Sequence, residues 1–195
     1  MPPILHSMKT AAIVIVCLGS TAYADGGGAR FDFGLVHEQV AVTDQTAISG
    51  SMARFGVGFA INRHVHAGAE VEEGWMSGDA LPDGAIARGG GGGALGTGPL
   101  SGNTLDMKLV GGLHTDVSAF RISGDVAAGL RDTSVSTDLG TDIAGRKKEP
   151  LLELRTRVDM FVTHTWTVGL IAGADTLERH DVSIGAIVSL QLDRQ

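Results

Sequence analysis

His64-Val65-His66 places two imidazoles on one face of an extended segment, a spacing at which side chains can share a metal. Zinc needs a third and a fourth donor, and no further ligand is evident, so a turn histidine and an inward histidine are the expectation. Arg146-Lys147-Lys148 is a compact run of cations, suited either to phosphate groups or to solvation in a loop. Gly89 to Gly93 is a glycine run that no Gly-Lys-Ser/Thr follows, so it reads as a connection tip rather than a phosphate cradle. Nucleophile chemistry finds no support: His164 precedes Thr165, not a serine, and no Ser/His/acid set converges. No cofactor or metal is therefore expected, and no enzyme activity.

The elements that hold these residues are constrained by composition. The chain has 195 residues, one domain's worth, and a net charge of −7, which leaves no basic field to hold nucleic acid. Charged residues make up 19%, low for a soluble domain, and glycine is abundant. Mean hydropathy is slightly positive, yet no run of about eighteen apolar residues exists to form a spanning helix. Two classes remain: a soluble β-rich domain, or a barrel whose apolar residues are dispersed by alternation.

Residues 1–24 read as a secretory signal peptide, leaving 25–195 as the mature domain. Lys9 supplies the positive region, Ala11 to Leu18 the apolar core, and Ala22-Tyr23-Ala24 an A-x-A cleavage site. Met8 is a better start than Met1-Pro2-Pro3. Cys17 falls inside this leader, with Val16 before it where a lipoprotein signal wants a small residue. The mature chain then has no cysteine for a disulfide or a thiol nucleophile.

The remainder alternates with period two. Eight strands are expected: Ala29 to Gln39, Met52 to Asn62, Val65 to Trp75, Thr104 to His114, Ala119 to Arg131, Leu151 to Thr163, Thr165 to Ala174 and Val182 to Leu192. Each sets an apolar parity against a polar, small or charged one: Phe31, Phe33 and Leu35 oppose Arg30, Asp32 and Glu38, and Leu152, Leu154 and Val158 oppose Glu153, Arg155 and Arg157. Strands of about ten residues cross a bilayer at a tilt, and an even number closes the sheet without an edge. Connections alternate between short and long, the longer ones being Val40 to Gly50, Met76 to Asn103, Asp132 to Pro150 and Asp175 to Asp181. Short periplasmic turns alternating with longer external loops are expected of such barrels.

The polar parity carries both signs on several strands, mixed with Gly, Ala and Ser. That suits a narrow lumen where charges pair, whereas a solvated face would be denser in Lys and Glu. The lumen candidates are Arg54, His66, Glu70, Glu72, Lys108, Arg121, Asp125, Arg155, Arg157 and Asp159. The rival reading is an exported soluble barrel, lipocalin-like, with the apolar parity lining a ligand cavity.

On this pattern the chain resembles the small eight-stranded outer-membrane barrels, OmpA-like and OmpX-like, from Phe31 to Leu192. The last strand resembles their assembly signal, with Gly185, Val188 and Leu190 in the glycine and apolar positions. The family usually has aromatics at the latter two and a terminal Phe, where this chain ends Leu192-Asp193-Arg194-Gln195. The resemblance implies an all-β, eight-stranded antiparallel up-and-down transmembrane barrel, monomeric, in a bacterial outer membrane. It implies contact with outer-membrane lipid, lipopolysaccharide and the barrel-assembly machinery. The implied role is structural or surface-interacting, with limited permeation as a variant. A lipid-A-modifying barrel enzyme is the second rival.

Overall fold

The computed structural model describes residues 28–41, 47–78, 100–137, 142–177 and 181–192. The leader expected over 1–24 and the run Gly89 to Gly93 lie outside them. The described elements are all strands: β1 (Ala29–Ala41), β2 (Ala47–Ala60), β3 (Val65–Gly78), β4 (Leu100–Val117), β5 (Phe120–Thr137), β6 (Asp142–Phe161), β7 (Trp166–Asp175) and β8 (Val182–Leu192). Each pairs antiparallel with its neighbours in sequence, and β8 returns to β1, so the sheet closes into a barrel. Closure satisfies the backbone donors and acceptors that an edge would leave open.

All eight expected strands are present, but several run further than alternation indicated. β4, β5 and β6 have 18, 18 and 20 residues, and β5 and β6 pair out to Ser136↔Asp142. Hydrophobic alternation stops near Arg131 and Pro150 because the outer face turns polar there, whereas backbone pairing does not depend on which side chains it carries. β7 pairs with β6 only from Glu153↔Asp175 onward, whereas β4 stays paired with β5 out to Leu100↔Thr137, so the β5–β6 hairpin overhangs the β7 side of the barrel. The expected loop position of Arg146-Lys147-Lys148 is thereby corrected. These residues lie in β6, paired with Ser134, Thr133 and Asp132. Lys148 is exposed; the side chains of the other two fall outside the described residues.

The opposite end is closed by tight connections, 61–64, 118–119 and 162–165. The two-residue β4–β5 turn holds Ser118 at φ 58°, the left-handed geometry that short hairpin turns demand. The turn before β3 is fastened by Asn62, whose Oδ1 accepts from the backbone N–H of His64 and Val65.

Candidate functional site

Burial alternates along most of the described strand residues, and the sense of the alternation is decisive. Leu109 is 63% exposed and Leu170 66%, as part of an outer face that also carries Phe33, Leu35, Leu113, Leu154, Val168 and Ile184. The buried parity holds the charge. Apolar side chains outside and ionic ones inside reverse the soluble barrel, whose exterior would be polar and whose interior would be an apolar ligand cavity. The lipocalin-like alternative is corrected on this point.

The interior is layered. Nearest the short turns lie Arg30, His66, His114, Arg121, Asp125 and Gln191. His66 Nδ1 is 3.3 Å from His114 Nδ1, and its Nε2 is 3.0 Å from Asp125 Oδ1. Gly112 makes this approach possible: a Cβ there would stand 2.2 Å from Asp125 Oδ1 and 2.8 Å from His66 Cε1. Arg121, at the mouth, donates to Asp116 through Nε and Nη2 at 2.7 and 3.0 Å and to Gln191 Oε1 at 3.1 Å. Its guanidinium lies 5.2 Å from the Phe161 ring centroid.

Above it, Arg157 spans the barrel. It donates to Asp32 Oδ2 at 3.0 Å, Asp159 Oδ1 at 2.8 Å and Ser189 Oγ at 2.5 Å, and Ser189 donates in turn to Asp32 Oδ1 at 2.6 Å. Arg54 and Arg155 both hold Glu70, the second at 2.6 Å. Lys108 donates to Glu72 and Glu153 at 2.8 and 2.9 Å, and Ser183 donates to Glu153 at 2.7 Å. Arg131 binds Asp106 with two nitrogens and reaches Glu38 and Asp181.

Beyond the ions, the overhanging end of the lumen is apolar: Val40, Ile48, Met52, Met76, Leu100 and Val135 are all buried in one cluster. Nothing in the sequence reading anticipated this cap, because Val40, Ile48 and Met76 fell in stretches read as loops.

Nine of the ten expected lumen residues are buried, and Arg121 is half-buried at the mouth. The expected same-strand compensation accounts for Arg30 with Asp32 and Arg157 with Asp159, and more loosely for Lys108 with Asp106 at 3.6 Å and Arg155 with Glu153 at 3.9 Å. Most partners come from other strands instead, and Arg121 takes Asp116, not Asp125. Glu38, Asp106, Arg131 and Glu153 belong to the same network and were reachable by parity alone. The His64/His66 pair is not formed: His64 sits exposed in a turn, and the partner of His66 is His114. A different set, Glu38, Glu72 and Asp106, brings three buried carboxylates within 4.8 Å of one another, but the chain's own Lys108 and Arg131 lie among them.

The sequence matches no protein-family model and no curated protein. Solved structures do match. Neisserial surface protein A superposes with a TM-score of 0.58 at 11% identity, over 87% of this chain and 100% of that one. The fold is that of the small eight-stranded outer-membrane barrels. The attachment invasion locus protein Ail of Yersinia pestis, solved in complex with the heparin analogue sucrose octasulfate, superposes at 0.53 with 9% identity, covering 86% of this chain and 98% of Ail. The outer membrane protein OprG from Pseudomonas aeruginosa gives 0.51 and 9%, covering 87% and 97%. In this fold the last strand completes the wall. Val188 faces outward, Leu190 is half-buried, and Gly185 lies flat against β1, where a Cβ would stand 2.5 Å from Leu35 O.

Proposed function

We propose that the chain is an integral outer-membrane barrel of the structural and surface-interacting kind. It would be monomeric, with the short turns in the periplasm and the β5–β6 hairpin projecting outward. The observation that carries this is the reversed polarity of the wall, an apolar exterior around a paired ionic interior. Hydrocarbon accepts the first, and only a closed lumen accommodates the second. The strands are long enough to cross, since about ten tilted residues suffice. The apolar cap and the cross-lumen ion pairs argue against an open channel, so the working surface is the outer one.

Arg146-Lys147-Lys148 stands on the overhanging hairpin, where three successive cations suit the phosphates of lipopolysaccharide. That Ail was solved with a sulfated ligand gives this reading a parallel on the same fold. Gly185, Val188 and Leu190 are the residues proposed to be read by the barrel-assembly machinery. The test is expression of the full chain in a Gram-negative host, followed by membrane fractionation and gel mobility with and without boiling. A heat-modifiable band in the outer-membrane fraction is the expected result. A soluble periplasmic protein of unchanging mobility would overturn the membrane reading. Lipopolysaccharide binding that survives Arg146→Gln, Lys147→Gln and Lys148→Gln together would overturn the role of the cluster.

A further inference from the structure

A second place in the molecule is built to receive a ligand, at the end of the barrel opposite the hairpin. The short-turn mouth contains a cavity of about 80 Å³ lined by Arg30, His66, His114, Arg121, Gln191 and the backbone-rich segment around Gly58. About 10–15 Å³ is enough for one water, so the space admits a polyatomic ligand. Its polar lining is one-sided. The carboxylates that pair with its cations, Asp32, Asp116 and Asp125, do not themselves line it, although Asp32 and Asp125 share the lumen with it. Two guanidinium groups line the cavity and no carboxylate does, so the lining favours an anion over a cation.

The donors are fixed before any ligand arrives. Arg121 is clamped by both oxygens of Asp116, and Arg30 by Asp32 at 3.2 Å. Arg121 Nη1 donates to Gln191 Oε1, which settles the orientation of that amide and leaves Nε2 as its donor side. Gln191 is 94% buried, from a 6% exposure, and its Nε2 has no hydrogen-bond partner. A buried donor without an acceptor is costly, and an incoming anion would supply the acceptor.

From this geometry we propose that the mouth is a binding site for a small tetrahedral oxyanion of the phosphate or sulfate class, held by Arg30, Arg121 and the Gln191 amide. Planar forks and a fixed amide donor suit such an ion better than mobile lysines do.

The test uses the full chain folded in maltoside micelles, its folding checked by the heat-modifiable band, with inorganic phosphate titrated calorimetrically at low salt. One saturable site per chain is expected. Gln191→Leu removes the unpartnered donor without touching an ion pair and should weaken binding about tenfold, the lower end for a hydrogen bond to a charged group. Arg121→Met, which frees the exposed Asp116 and the Gln191 amide oxygen, should weaken it at least as much. Absence of saturable binding at millimolar phosphate would overturn the assignment, as would binding unchanged in both variants. Binding lost on substitution of Arg146, Lys147 and Lys148 but kept in the mouth variants would place the anion on the hairpin and overturn it equally.

Discussion

Replacing Arg157 by Met should be among the most damaging single substitutions in the lumen. The reason lies in what is left behind. Asp32 keeps Arg30 at 3.2 Å and Ser189 at 2.6 Å, so it remains paired. Asp159 keeps nothing comparable: Arg157 Nε, at 2.7 Å, is its ion-pair partner among the described residues, and Asp159 is fully buried. Breaking a buried pair by removing one partner costs about 3–5 kcal/mol, most of it the stranded charge. Lys108→Met removes just as many contacts but strands less. Glu72 retains Arg54 at 3.5 Å, Asp106 retains Arg131, and Glu153 retains Ser183 at 2.7 Å. Its expected cost is about 1–3 kcal/mol, closer to that of a hydrogen bond to a charged group.

Urea unfolding in micelles or vesicles would measure both, followed by the fluorescence of Trp75 and Trp166, which lie on the outer face and exchange apolar surroundings for water. The decisive variant is Arg157→Met with Asp159→Asn. If the stranded carboxylate carries the cost, neutralising it returns about 1–3 kcal/mol, the coupling expected of directly paired residues. An Arg157→Met loss below that of Lys108→Met, or a double variant no more stable than the single, would refute the reasoning.

Other substitutions probe the remaining layers. Leu109→Arg, mid-strand on the outer face, should cost about 2–4 kcal/mol in a bilayer; a cost near zero by urea unfolding in vesicles would mean that this face does not meet lipid. Met52→Ala, in the fully buried apolar cap, should cost about 2–5 kcal/mol on the same assay while leaving the ion network intact. Gly169→Val should block correct closure, because its Cβ would meet Asp159 Oδ1 at 2.0 Å and Val158 O at 2.8 Å; loss of the heat-modifiable band is the readout.

Strand number, order and facing were legible in the sequence because a two-sided wall forces a period of two. Phe33 and Leu35 outside with Asp32 and Val36 inside is one such forced alternation. Strand ends were less legible. Ile48 and Leu100 are buried lumen residues, but they stand where the outward neighbours Ser49 and Ser101 are polar, so the apolar-outside signal had vanished. Beyond the same-strand pairs, such as Arg30 with Asp32 and Arg157 with Asp159, the pairing of charges was not legible. Arg131 reaches Glu38 across 93 residues, and Arg157 reaches Asp32 across 125. Which cation meets which carboxylate depends on strand tilt and barrel circumference, neither of which alternation encodes.

Those long separations have a physical consequence. Glu38 and Arg131 lie on β1 and β5, Glu70 and Arg155 on β3 and β6, Asp32 and Arg157 on β1 and β6. None of these strand pairs is adjacent in the sheet, so no hairpin or open sheet can form these contacts; only the closed wall does. An open intermediate therefore lacks these three cross-lumen pairs, while neighbouring-strand pairs such as Arg131–Asp106 and Arg54–Glu72 remain open to it. A strand slipped by one residue fares worse, since it turns every lumen charge toward lipid. Arg54, Lys108, Arg155 and Arg157 would each then bear about 2–4 kcal/mol at the membrane midplane. The buried ion pairs need add little net stability to the finished barrel to matter. They raise the energy of the wrong registers and the unclosed forms, which the apolar outer face alone would tolerate.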